Sequence, residues 1–506
     1  MGSRPFLKQS AAWVTAILLG AGITRADTAA KTFTDPAPPQ VNELTPAPAP
    51  AARDNPDATF HATPKPLPPG AATHDWPCFL GPTHDYRSTE TKLLATLPEA
   101  GPPLVWEMKK GSGYAAPVIA GERLVLFHRV NDEERVDCLD AQTGKRFWTF
   151  AYPTAYQDRY GYSDGPRATP TISGDSIFTC GVEGKLHCLD LQTGRVRWKR
   201  DVLEEFKLPQ NFFGVGSAPL LEGDKIIVNV GARGGPCVAA FDAKSGKMIW
   251  GAGDQWGPSY AGVIPATVHG KRRVFAFAGG ESSPPTGGLL CIDPADGSVD
   301  FTVPWRGRRR ESVNASAPLV FDGNKVLVSE AYGAGAAVLE LTAPGADGRL
   351  GFKKLWTSDA FGTHFMTAVY QDGHLYGVDG HGPQDAFLVC ARATDGHEVW
   401  RMQPEWTQTV QGKLGERKAT FGTYRAWLMP VDGRFLCMGE FGHLIWADLT
   451  PAGYRERSRA QLFLASETWT PPALSRGLLY VCQNTPGMLD GSPPRLLCYD
   501  LRRSPD

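Results

Sequence analysis

Apolar residues in this chain arrive in short bursts and not in long helical stripes. Runs such as "RLVLFHRV" (123–130), "SIFTC" (176–180) and "KIIVNV" (225–230) are separated by turns that carry Gly and Asp. Bursts of this length, bounded by such turns, predict β-strands. The strands come in sets. A small-residue and Pro start ("AAPVI", "ATPTI", "SAPLL") opens the first strand of a set, and a turn such as "SGD" or "EGD" leads to the second. The third strand ends at an Asp, and a Thr-Gly or Asp-Gly turn leads to a fourth that carries Trp. Four short strands joined in this way predict an antiparallel blade.

The sets repeat. "VDCLDAQTGKRFWTF" (136–150) returns as "LHCLDLQTGRVRWKR" (186–200), and the turn aspartates are Asp140, Asp190, Asp242 and Asp293. Degenerate copies follow at 339–356, 389–400 and 445–453, with a last third strand in "LLCYDL" (496–501). The spacing of roughly 50 residues belongs to propeller blades and not to helical repeats. The fourth-strand tryptophans are read as Trp148, Trp198, Trp250, Trp305, Trp356 and Trp400. At the ends, "LVWEM" (104–108) is a Trp strand with no blade before it, and "LLCYDL" has no Trp strand after it. Pairing the two completes a blade and removes an open sheet edge. The predicted fold is therefore an all-β, eight-bladed β-propeller closed by its N- and C-terminal strands. Seven blades remain open if the degenerate unit at 424–460 is misread.

Composition adds a leader and a linker. Arg4 and Lys8 precede the apolar run at 11–23, and "TRAD" offers small residues before Asp27, so a signal peptide over 1–26 and export to the periplasm or medium are expected. No cysteine precedes Cys78, so no acylated N-terminus is expected, and no transmembrane segment is expected in the mature chain. Residues 27–73, dominated by Pro and Ala, predict a disordered linker before a propeller domain at 74–506. With 52 Lys+Arg against 53 Asp+Glu, nothing points to nucleic acid. A monomer is expected.

The "LDxxTGxxxW" units resemble those of the PQQ-like (quinoprotein-like) β-propeller family. With "DWPCFLGP" (75–82) and "TWTPPALSRGLLYV" (468–481), the chain resembles that family's exported bacterial BamB-like members. The resemblance covers about residues 74–502 and implies fold more strongly than function, because the architecture hosts both enzymes and scaffolds. Under the family's enzymatic form, PQQ with Ca²⁺ would need two adjacent cysteines, carboxylate and Asn ligands and a catalytic Asp. The chain has no Cys-Cys pair, no CxxCH haem motif and no P-loop, HExxH or GxSxG. No cofactor, catalytic residue or metal ligand is assigned.

Cys138, Cys188, Cys291, Cys390 and Cys498 fall in one slot of successive blades, too far apart around a ring for a shared metal or disulfide. Cross-strand disulfides Cys180–Cys188 and Cys482–Cys498 stay open, although hairpin register offsets the first pair. Asp379, His381 and Asp385 in "YGVDGHGPQD" are read as a solvated turn. Aligning the blades on their Pro starts brings Tyr114, Arg167, Tyr260, Asn314, His364, Arg425 and Trp469 to one mouth of the ring, where Arg would be available to an anion. Three functions remain: a non-catalytic scaffold or binding module, a PQQ dehydrogenase with an atypical site, and a sugar- or polysaccharide-binding accessory protein. The expected partner is a protein or carbohydrate at that mouth.

Overall fold

The first blade, in a computed structural model of the protein that describes residues 32–208, 211–412 and 415–504, shows how the repeat works. Its strands are Val118–Ala120, Arg123–Val130, Glu133–Asp140 and Arg146–Pro153, paired antiparallel in that order from the inside out. At the third turn the Asp140 carboxylate accepts from the Thr143 backbone N–H and hydroxyl, each at 2.8 Å. Gly144 follows with φ of 70°. The glycine is required twice over. Its backbone is left-handed, and a Cβ there would lie 2.9 Å from the Trp106 ring of the neighbouring blade.

That contact is the joint between blades. The indole N–H of Trp106 donates to the Ala141 carbonyl at 3.0 Å, that of Trp148 to Leu191, that of Trp198 to Ala243 and that of Trp250 to Pro294. The turn glycine and the Trp of the repeat thus belong to one interface: in the first, second, third, fourth and sixth blades the glycine makes room for the tryptophan of the previous blade. Burying a ring and satisfying its single donor makes the joint both apolar and directional.

Seven further four-stranded sheets complete the ring, the second to seventh blades spanning 171–201, 220–252, 264–304, 319–358, 369–402 and 427–461. The eighth consists of Ala473–Ser475, Leu478–Gln483, Arg495–Asp500 and, from the other end of the chain, Leu104–Lys109. Trp106 stands opposite Cys498. The closure expected from the orphan strands is the one observed, and the degenerate unit is a full blade, which settles eight over seven.

One register detail differs from expectation. In the fourth blade Phe301, not Trp305, lies opposite Cys291 in the joint position, while the Trp305 indole donates to Gly335. In the seventh, Trp446 occupies the third-strand slot and Ser458 faces it. A hairpin, Glu405–Gly412 with Gly415–Gly422, also rises between the sixth and seventh blades.

The Pro/Ala-rich stretch is extended but not free. Asp35 pairs with Arg200 at 2.5 Å, Gln40–Val41 adds a strand to the second blade, Arg53 bridges Arg146 of the first, and Ala58–Phe60 adds a strand to the eighth. Residues 32–60 therefore run as a strap along the outer edges of consecutive blades, against chain order. The disordered linker expected over 27–73 is corrected for this part. An outer strand offers a row of unpaired backbone groups, which a Pro-rich strand can still meet at its non-Pro positions. The leader at 1–26 lies outside the described residues. Among the described residues no helix is long and apolar enough to cross a membrane.

All ten cysteines are buried free thiols. Cys180 faces Leu186 while Cys188 faces Phe178, and Cys482 faces Leu496 while Cys498 faces Tyr480, so neither candidate pair is in register for a bond.

Candidate functional site: an aromatic cavity with a plugged floor

Because the strands of each blade alternate in direction, the blade-to-blade connections and the second-to-third-strand turns all emerge at one end of the ring. The other two turns emerge at the opposite end. Residues that precede each inner strand therefore converge on the axis, and there they enclose a cavity of about 270 Å³. Six of the seven positions read from the sequence line it: Tyr114, Arg167, Tyr260, His364, Arg425 and Trp469. Asn314 does not. It is fully buried with φ of 49°, and its side-chain amide donates to Ala278 at 2.8 Å and to Trp305 at 3.1 Å, so it ties two loops together.

The walls are aromatic. Trp469 lies with ring centroids 5.3 Å from Tyr114, 5.5 Å from Tyr162 and 5.6 Å from Phe365, and Phe213 lies 5.5 Å from Tyr260. Such spacings are those of favourable offset and edge contacts. Tyr162, Phe213, Tyr332, Phe365 and Trp427 escaped the alignment on Pro starts because most of them sit in connections or turns of unequal length. The clustered rings of "RYGYSDG" (159–165) and "NFFG" (211–214) were the available signal.

The floor comes from before the first blade. Residues 74–90 cross the far end of the ring: Trp76 exchanges backbone hydrogen bonds with Ile119, the Pro77 carbonyl accepts from Ile172, and the Tyr86 hydroxyl donates to Pro472. Ser88 donates its backbone N–H to Pro430. Blades one, two, eight and seven thus hold one segment across the axis. From it Phe79 reaches the cavity, against Gly262, where a Cβ would come within 2.8 Å of the ring.

The arginines are not available to an anion as the sequence suggested. Arg167 pairs with Asp158 at 2.5 Å, and Arg425 is held by both oxygens of Glu440, whose side chain is 2 % exposed. Each guanidinium also lies over a ring, Arg425 4.7 Å from the Trp469 centroid and Arg167 5.2 Å from Phe213. The Trp469 indole donates to Glu440 at 3.1 Å, and the Tyr114 hydroxyl donates to Glu467 at 2.5 Å. Burial pushes the carboxyl of Glu467 up. His364 meets the Tyr332 hydroxyl at 3.2 Å through Nε2, and its Nδ1 has no partner. Burial, with Arg425 and His381 nearby, pulls its pKa down to about 3, so the ring is neutral. The cavity holds charges, but in balanced pairs.

The donors for a quinone-bound calcium are not assembled here. No cysteine lines the cavity, and among the described residues no group of three or more His, Cys, Asp or Glu side chains converges as a metal site. Of the "YGVDGHGPQD" turn, Asp379 is committed to Arg401 at 2.7 Å and His381 to Asp385 at 2.7 Å.

A family profile described as "Outer membrane protein assembly factor BamB" matches residues 132–402. The chain is 23 % identical over 383 residues to Outer membrane protein assembly factor BamB of Bordetella pertussis, covering 72 % of this chain and 86 % of that one. It is 30 % identical over 120 residues to Quinohemoprotein alcohol dehydrogenase ADH IIB of Pseudomonas putida, a match to 23 % of this chain and only 17 % of the relative's length. In three dimensions it is similar to the quinohemoprotein alcohol dehydrogenase of Comamonas testosteroni, with a TM-score of 0.56 at 13 % identity over 85 % of this chain and 82 % of the other, a likeness of fold alone. On the match to its blades, the chain belongs to the PQQ-like β-propeller family described as outer membrane protein assembly factor BamB.

Proposed function

We propose that this protein is an exported, non-catalytic binding module whose ligand enters the aromatic cavity at the mouth of the ring. One observation carries the reading: residues from the blade connections build a walled cavity, yet its charged groups are committed to one another. A hydrolytic or redox site needs a group poised to give or take a proton or an electron pair. Here the carboxylates of Asp158 and Glu440 are held by arginines, Glu467 accepts from a tyrosine, and of the two histidines in the wall His364 is neutral and His381 is paired with Asp385. Aromatic walls with a few convergent polar groups are what a small-ligand site consists of. Outer membrane assembly, the role in the BamB relatives' names, and alcohol oxidation, in the dehydrogenases' names, remain roles of those proteins.

Thermal unfolding tests the reading. Soluble small-molecule extract from the native host should raise the melting temperature of the wild type and not of Tyr162→Ala, a rim residue 49 % exposed whose loss leaves the fold intact. An equal shift in both would place the ligand elsewhere. Addition of PQQ and Ca²⁺ should give no reduction of an electron-accepting dye with alcohols or aldoses; turnover would establish the dehydrogenase reading in its place. N-terminal sequencing of the mature protein should begin at Asp27.

A further inference from the structure

We infer that the cavity receives the terminal ring of an uncharged polyhydroxylated chain, the end of a neutral glycan; the inference rests on the binding-module reading and gives its ligand a class. Three features of the site converge on it.

The first is the dead end. A through-channel would admit an internal stretch of polymer, but here Phe79 lines the cavity from a segment bonded across the far end. Its segment is anchored to four blades through Trp76, Pro77, Tyr86 and Ser88. A chain end suits such a site better than an internal stretch does. At about 270 Å³ the space lies just below the usual range for ligand sites, ~300–1,000 Å³, and suits one ring more than several.

The second is the shape of the walls. Trp469, Tyr162 and Phe213 line the cavity, and the C–H face of a sugar ring is complementary to aromatic surface. The platform continues beyond the cavity. Tyr160, also 49 % exposed, lies 5.5 Å from Phe213 and 6.1 Å from Phe212. Large aromatic rings left in solvent next to a cavity mouth offer a surface for the next unit of the same chain.

The third is the balance of charge. An anionic ligand would have to compete with Asp158 for Arg167 and with Glu440 for Arg425, and would leave a buried carboxylate without its partner. A hydroxyl needs no such exchange, since it can accept from the guanidinium edges and donate to carboxylate lone pairs while the pairs stay together. His364, neutral, and Tyr332 add hydrogen-bonding groups of the same kind.

The test uses the full mature chain and intrinsic tryptophan fluorescence, which Trp469 should report. Linear neutral oligosaccharides built of glucose, mannose, xylose or N-acetylglucosamine are titrated, each as a series of increasing chain length beside an oligouronate. At least one neutral series should bind. Its affinity per chain should level off once the second unit covers Tyr160, and Tyr162→Ala should weaken it roughly tenfold. The oligouronate should bind more weakly than its neutral counterpart. Affinity per chain that keeps rising with length would show internal binding and overturn the end-reading. Preference for the uronate would overturn the neutral class. If no series binds while host extract still stabilises the wild type and not Tyr162→Ala, this inference falls and the binding module stands. If the extract effect is missing too, both fall.

Discussion

Arg425 and Glu440 illustrate how a residue chosen for reactivity can be present for structure. The sequence placed Arg425 at the mouth correctly, but its spacing could not reveal the carboxylate fifteen positions on that takes its Nε and Nη2. Replacing it with Ala leaves the Glu440 charge buried and unpaired, which typically costs ~3–5 kcal/mol. Chemical denaturation of Arg425→Ala should show a loss of that order, and Arg425→Met with Glu440→Leu should recover most of it. Glu330 is a second buried carboxyl, 1 % exposed, accepting from Ser312 at 2.6 Å on one oxygen while the other has no partner. Burial raises its pKa from 4.5 to about 7. The fold therefore prefers the protonated form. Its contribution to stability is full below the unfolded value and is lost as pH rises through the folded one. Relative to Glu330→Gln, the wild type should lose on the order of 3 kcal/mol between about pH 4.5 and pH 8, read from unfolding free energies at each pH.

At the scale of elements, the repeat was legible because each blade carries its own signals, and what failed was whatever depends on a distant partner. The tryptophan follows the turn aspartate at 140/148, 190/198 and 242/250, and the same step from Asp293 lands on Phe301. The spacing thus contained the correct joint residue of the fourth blade, and the conspicuous ring of Trp305 drew attention from it. The strap offered no such signal. Its Pro and Ala content correctly gives an extended chain, but its docking depends on blade edges far along the sequence and on Arg200, whose fully buried guanidinium takes Asp35 and Glu205 as partners. Asp35→Ala should lower the melting temperature measurably. Protease should cut within 36–60 more slowly in the wild type than in that variant, because the strap must lift before it can enter a protease site.

For the whole molecule, eight blades and their closure followed from the orphan strands at the two ends, while the cavity was legible only as a ring of positions. Its depth was hidden, since the floor belongs to "DWPCFLGP", a segment outside the repeat. Trp106→Ala should be among the most damaging single changes, ~3–5 kcal/mol by urea unfolding, because it empties a fully buried site and breaks the last joint. The same closing strand governs the time course of folding. The Glu107 carboxylate meets Arg495, a partner 388 positions away, and their strands pair along their length. A chain that emerges N-terminus first can pair Leu104–Lys109 with Ala58–Phe60 but must leave its other edge open until nearly all the rest has appeared. Contacts of such sequence separation are slow to form and leave an exposed edge in the meantime. Ring and binding site should therefore mature in a single late event, and a nascent chain stopped short of Arg495 should bind nothing and be prone to aggregate.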